Sequence, residues 1–233
     1  MASPVSTSVA RRKGRAWTVE LVGPAGAGKS TIGRMLSRVE PSFRPPMTAW
    51  DLSPWMLAVH AVRELPTFAR SGRPSQLQLM CVYDLVRILA LCARLRQADL
   101  RRYQVVLLDE GPVFLLTRLL AYEPVALQSA ALRARWEHAL RRCATAVDEL
   151  VWIDAPDPEL ARRIRSRAKP HRLKAASDAE ISTFSTRYRK AFRKVTSVFA
   201  DHHGPRVSRF TADEPLPRTA ARIARALRSA DVG

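Results

Sequence analysis

The run Gly23-Pro24-Ala25-Gly26-Ala27-Gly28-Lys29-Ser30 fits the pattern G-x-x-x-x-G-K-[ST], with Thr31 directly after it. Glycines at these spacings let backbone N–H groups come close to phosphate oxygens. A lysine at this spacing reaches the β- and γ-phosphates, and the serine hydroxyl ligates Mg2+. Residues 23–31 are therefore expected to hold the triphosphate of ATP or GTP, with Lys29 acting on the phosphates and Ser30 on the metal. The bland alternative is a glycine-rich turn that happens to carry a lysine. A triphosphate site also needs a carboxylate at the end of a neighbouring buried strand, to hold Mg2+ or its water. Asp109, which closes the apolar run Val105-Val106-Leu107-Leu108, meets that need. Its own bland alternative is a strand-end aspartate that caps a turn.

Those side chains require a strand, a tight turn and a helix in succession. Residues 18–22 form a short β-rich apolar run ended by Gly23 and Pro24. From Lys29 or Ser30 onward, Ile32, Met35, Leu36 and Val39 recur at helical spacing until Pro41 stops the helix. Residues 41–54, with Pro45 and Pro46, read as irregular, with a short strand predicted at 47–52. Helices are predicted over 54–70 and 75–100, split by Ser71-Gly72-Arg73-Pro74. A strand over 104–108 leads into Asp109-Glu110-Gly111-Pro112, and helical patterns continue to about Ala146. A buried strand at 150–153, a helix over 158–167, a basic loop and a helix over 178–200 follow, then a strand at 206–210 and an amphipathic helix over 215–230. This alternation predicts an α/β fold: a mainly parallel five-stranded sheet with helices on both faces and ligands beyond the carboxyl ends of the strands.

The chain has 233 residues, 47% hydrophobic and 26% charged, which suits one soluble domain over 16–233 after a disordered basic tail at 1–15. Its formal charge of +18, carried mostly by arginine, points to acidic partners without choosing among phosphates, nucleic acid and anionic surfaces. Cys81, Cys92 and Cys143 match no zinc spacing and read as reduced, buried thiols. No run approaches the roughly 18 apolar residues of a membrane span, so a cytoplasmic location is expected.

Together these residues resemble the P-loop nucleoside and nucleotide kinases, in particular the thymidylate kinase-like and deoxynucleoside kinase-like branch. Besides the phosphate loop and Asp109, Val151-Trp152-Ile153-Asp154-Ala155-Pro156 looks like the strand of that family leading to a helix ending R-I-x-x-R, here Arg163-Ile164-Arg165-Ser166-Arg167. Phe184-x-x-Arg187-x-Arg189-x-x-Phe192 is similar to the helix after the lid in thymidylate kinases. The resemblance implies that residues 167–177 are the lid that closes over ATP. Phosphoryl transfer is catalysed mainly by positioning and positive charge, so Arg163, Arg167, His171, Arg172 and Lys174 suit such a lid. Arg163 and Arg167 are the preferred catalytic pair, since they lie four apart on one helical face. For each of these side chains the alternative is a solvated basic face.

Thymidylate kinases carry Asp-Arg after the third strand, where the arginine helps hold the acceptor's phosphate, and this chain has Asp109-Glu110. A carboxylate there repels an acceptor phosphate, but it can take the proton of a hydroxyl. Glu110 is thus the first candidate base, against the alternative that it caps the helix starting near Pro112. Deoxynucleoside kinases use a carboxylate base after the second strand, and by that resemblance Asp51, in Ala49-Trp50-Asp51-Leu52, is the rival. The expected activity is an ATP- and Mg2+-dependent phosphotransferase acting on a small nucleoside-, nucleotide- or other hydroxyl-type acceptor, in a chain compatible with a homodimer. Two other classes compete: a P-loop ATPase in which Glu110 activates water, and a polynucleotide kinase-like enzyme that would use the positive charge.

Overall fold

Five strands, all parallel, build one sheet in the computed structural model, which describes residues 15–69, 76–122, 126–168, 170–200 and 204–229. The strands are β1 (Trp17–Val22), β2 (Phe43–Met47), β3 (Val105–Asp109), β4 (Glu149–Asp154) and β5 (Arg206–Thr211). Their order across the sheet is β2-β3-β1-β4-β5. Eight α-helices connect or follow them among the described residues: α1 (Lys29–Val39), α2 (Pro54–Ala69), α3 (Gln76–Arg94), α4 (Pro112–Tyr122), α5 (Ala130–Ala146), α6 (Asp157–Arg165), α7 (Asp178–Ala200) and α8 (Leu216–Ser229). The helical stretch expected up to Ala146 is two helices, α4 and α5, because residues 126–128 form only a short 3-10 turn between them.

Every strand is followed by a helix at the same edge of the sheet, so the carboxyl ends of β1, β3 and β4 converge. Leu21 lies opposite Asp109, and Val22 opposite Trp152. Alternation along β1 then sorts its side chains. Val19 and Leu21 join the core under α1 and α8, with Ile32, Leu36, Ile223 and Leu227. Glu20 and Val22 point to the opposite face, where α3, α4, α5 and α7 pack the larger core around Leu85, Leu108, Leu116, Leu140 and Phe192.

Two elements depart from expectation: the helix expected over 75–100 ends at Arg94 and is followed by a 3-10 turn at Ala98–Arg102, and the second strand is displaced. That strand spans Phe43–Met47, ahead of the expected 47–52, and contains both prolines that suggested irregularity. Only one of two consecutive prolines can face the open side of an edge strand; the other is accommodated by the irregularity in the β2–β3 register between Arg44 and Met47. Residues 48–52, carrying Trp50 and Asp51, are a turn instead.

Of the expected tail, residues 1–14 lie outside the described residues, as do Ser71 to Pro74 between α2 and α3. Arg15 donates to the Ala146 carbonyl at 3.1 Å and pairs with Asp148. Among the described residues no helix is long and apolar enough to cross a membrane.

Candidate active site

The phosphate loop leaves β1 at Gly23, whose position only glycine can occupy. A Cβ there would sit 1.9 Å from the Ile153 carbonyl oxygen of β4. Helix α1 starts after Gly28, a left-handed N-cap without any side-chain capping bond. Its first N–H groups are therefore not capped by the protein's own side chains, which is the condition for binding an anion at that end. Lys29 folds back over the loop and donates to the carbonyls of Gly23 at 2.8 Å and Pro24 at 3.0 Å. Burial pushes the Lys29 ammonium down from its ordinary value, and the charges of Asp109 and Glu110 oppose that shift.

Asp109 ends β3 next to the strand that feeds the loop. Its side chain is 8% exposed, and its Oδ1 is buried with no hydrogen-bond partner. An orphaned buried carboxylate oxygen beside a phosphate loop suits a divalent cation, so Asp109 and Ser30 fit Mg2+. Among the described residues no cluster of three or more acids, histidines or cysteines surrounds such a site. Mg2+ is commonly held by one or two carboxylates plus the phosphates themselves, which is compatible with that sparse donor set.

Glu110 adopts φ 56, the one left-handed non-glycine residue among those described. Such a conformation costs energy and tends to be kept where function needs it. Its Oε2 accepts from the Trp50 indole Nε1 at 2.9 Å, and its carbonyl accepts from Ala49 N–H at 3.3 Å. Glu110 does not cap α4. Glu20 does: its Oε2 accepts from Val113 N–H at 3.0 Å and its Oε1 from Phe114 N–H at 2.7 Å. Complete burial pushes Glu20 up to about 8, against the pull of those two bonds.

A cavity of about 540 Å3 opens over the loop, and its lining includes Gly23, Gly26, Gly28, Lys29, Ser30 and Thr31 at one end. Glu110, Phe114, Arg118 and Tyr122 of the β3–α4 segment face it, as do Met80 and Asp84 from α3 and Phe184 and Tyr188 from α7. Arg163, Arg167, His171 and Arg172 line the remaining side. The structure thus brings Lys29, Ser30, Glu110, Arg163 and Arg167 to one cavity, and buried Asp109, outside its lining, is near enough to act on the Lys29 charge. It does not bring Asp51 there. The Asp51 carboxylate is exposed and accepts from Thr48 N–H at 2.7 Å within its own turn.

The basic side is anchored by ion pairs. Arg163 donates to Glu159 at 2.5 Å and to the Ala212 carbonyl at 2.8 Å. Arg189 of α7 grips Asp154 with two bonds, at 2.8 and 3.0 Å, and Asp157 with a third at 2.7 Å. Arg172 lies over the stacked rings of Tyr122 and Phe184, 5.0 and 4.5 Å from their centroids. Between α4 and α3, Arg118 pairs with the buried Asp84. Sequence reasoning passed over Glu20, Asp84, Arg118 and Trp50. The first two carried a signal, each being a single acid inside an apolar run.

No family model matches the chain, and no curated protein matches it. Solved structures do. Deoxyadenosine kinase from M. mycoides with products dCMP and a flexible dCDP bound superposes with a TM-score of 0.56 at 13% identity, covering 91% of this chain and 99% of that one. The same kinase with bound dATP gives 0.54 at 15% identity, and with bound dCTP 0.55 at 12%, each at the same coverage. The fold is that of a deoxynucleoside kinase-like P-loop kinase. That fold accounts for the sheet order and the loop at its centre, and the residues on the loops carry the question of chemistry.

Proposed function

We propose that the chain is an ATP- and Mg2+-dependent kinase that phosphorylates a hydroxyl of an unphosphorylated small acceptor of the nucleoside type. The observation that carries this reading is Glu110, a carboxylate in a left-handed backbone position that lines the same cavity as Lys29 and accepts a bond from Trp50. The likeness of fold to a deoxyadenosine kinase supports it. In the reaction, Glu110 takes the proton of the acceptor hydroxyl as that oxygen attacks the γ-phosphorus. The bond from the γ-phosphorus to the bridging oxygen breaks, and ADP leaves. Lys29, Arg167 and the loop N–H groups stabilise the charge on the moving phosphoryl group. Ser30 and Asp109 would hold Mg2+, which when bound neutralises charge on the β- and γ-phosphates.

The lining of the acceptor side favours an acceptor without a phosphate. Its cation on α4, Arg118, is already paired with Asp84, and Glu110 adds a negative charge where an acceptor phosphate would sit. A panel of nucleosides, nucleoside monophosphates and other hydroxyl compounds, assayed for ADP formation with ATP and Mg2+, tests the reading. ADP formation that depends on an unphosphorylated acceptor is the expected result. Steady ADP formation without any acceptor would make the chain an ATPase, and a monophosphate as the best acceptor would overturn the assignment of Glu110.

A further inference from the structure

Glu20 is an ionisable residue in the middle of a buried strand, and the transfer step makes no use of it. Its side chain is 0% exposed. Strand alternation sends it to the face of the sheet that α4 covers, where it meets the first turn of that helix. The N–H groups of Val113 and Phe114 are among the orphan donors at the start of α4, and a helix usually satisfies such donors with its own capping side chain. Here Gly111 precedes Pro112 and has no side chain to offer. The cap is supplied instead from β1, 93 and 94 residues earlier in the chain, through bonds of 3.0 and 2.7 Å. Gly111 is the residue that makes room for it, since a Cβ there would lie 2.7 Å from the Glu20 carboxyl carbon.

Two things depend on that junction. Glu110 immediately precedes Gly111 and holds a left-handed backbone, which persists only where its surroundings over-determine it. Trp50 and Ala49 hold Glu110 from one side. Glu20 fixes the chain on the other. Downstream, α4 presents Phe114, Arg118 and Tyr122 to the cavity, so its first turn sets the acceptor wall. Glu20 also lies on the strand that ends at Val22, just before the phosphate loop, and it therefore ties the loop and the base to one rigid element.

We propose that Glu20 is a positioning residue, a cap on α4 supplied across the sheet that fixes the Glu110 carboxylate and the acceptor wall relative to the phosphate loop. This rests on the reading of Glu110 as the base. Displacing a catalytic group by about 1 Å can cost on the order of a hundredfold in rate. Triphosphate binding, which uses the loop N–H groups and Lys29, does not pass through the cap.

The test, run above pH 8 where the Glu20 carboxylate is ionised, compares Glu20→Gln, which keeps the shape but turns an N–H2 group toward one of the two donors, with Gly111→Ala, which presses on an intact Glu20. In both, kcat is expected to fall by roughly tenfold to a hundredfold while KM for ATP stays within about twofold. MgATP should still stabilise both variants in thermal melts. A merely structural residue would give the opposite split, losing ATP binding and melting temperature together with kcat. Shortening the carboxylate in Gly111→Ala/Glu20→Asp makes room for the new methyl and should restore part of kcat. Full kcat in Glu20→Gln and in Gly111→Ala overturns the proposal, as does loss of ATP binding in step with kcat. Should the wild type phosphorylate no acceptor at all, the reading of Glu110 fails. Amide hydrogen exchange over residues 109–116 then decides the cap alone: faster exchange confined to that segment in Glu20→Gln supports it, and unchanged exchange overturns it.

Discussion

The indole Nε1 of Trp50 donates to Oε2 of Glu110 over 2.9 Å, joining residues sixty positions apart in the chain. Trp50 is itself covered by the Arg87 guanidinium, 3.8 Å from the ring centroid, and Arg87 in turn bonds Tyr83. The candidate base is therefore oriented by a half-exposed indole that the Arg87 guanidinium covers. Trp50→Phe keeps an aromatic surface for Arg87 and removes the N–H. It is expected to lower kcat by roughly tenfold to a hundredfold with KM for ATP unchanged, since one hydrogen bond to a charged group is worth about 1.5–3 kcal/mol and about 1.4 kcal/mol is tenfold in rate. Glu110→Gln goes further and removes the proton acceptor, so kcat should fall by about 10²–10⁴. Steady-state kinetics of the two variants against the best acceptor check the order of these effects.

Lys29→Ala should abolish the response to triphosphate. Lys29 makes its bonds to the carbonyls of Gly23 and Pro24, within the loop and at the ligand end of the cavity, so the variant is expected to fold. A ligand at a hundred times its Kd stabilises the folded state by about 2.7 kcal/mol. Thermal melts with and without MgATP should show that stabilisation in the wild type and not in the variant. An equal rise in both would remove Lys29 from the site.

How much of this was legible in the chain depends on the range of each contact. The phosphate loop, α1 and Asp109 follow from local pattern, because a strand, a glycine loop and a helix must come in succession and because Asp109 closes an unbroken apolar run. The strand Phe43–Met47 did not, since Pro45 and Pro46 suggest a break unless the strand is known to lie at an edge of the sheet. In sequence Glu110 is the first candidate base and Asp51 the rival. What separates them is that the turn at 48–52 folds the Asp51 carboxylate onto its own backbone and swings Trp50 toward β3. Glu20 shows only as an acid in an apolar strand, and its role depends on a helix starting above it some ninety residues later.

The basic segment around His171 gives a pH-dependent expectation. Burial first, and then the charges of Arg167, Arg172 and Lys29, hold the His171 imidazole below its ordinary value. The folded state then binds fewer protons than the unfolded chain in the interval below about 6.5. Stability linked to His171 is thus complete above the unfolded value and is lost as pH falls from there through the folded one. The side chain is half-buried, so solvent screening keeps the effect well under the roughly 1.4 kcal/mol that a tenfold change in proton affinity carries. Melts from pH 7.5 to 5.5 should show a steeper decline for the wild type than for His171→Gln. MgATP should flatten the wild-type decline, because a triphosphate beside the imidazole favours its protonated form.

Arg163 and Arg167, which look equivalent as a pair four residues apart, should separate by experiment. Arg163 is partly buried and committed: it bonds Glu159 at 2.5 Å and the Ala212 carbonyl at 2.8 Å, and so ties α6 to the segment after β5. The Arg167 guanidinium is exposed, lines the same cavity, and has no hydrogen-bond or ion-pair partner among the described residues. A group without structural partners is free to act on the transition state, where charge on the transferring phosphoryl group is greatest in need of compensation. Arg167→Ala is therefore expected to lower kcat by about tenfold or more, while stability stays within about 0.5 kcal/mol of wild type. Arg163→Ala should lose stability as well, by about 1–3 kcal/mol, because it leaves the Ala212 carbonyl without that donor and breaks the bridge to Glu159, which keeps only Arg162. Urea denaturation beside steady-state kinetics separates the two. If Arg167→Ala keeps the full rate, its charge belongs to the solvated surface, and Arg163 is left as the arginine of the pair facing the phosphates.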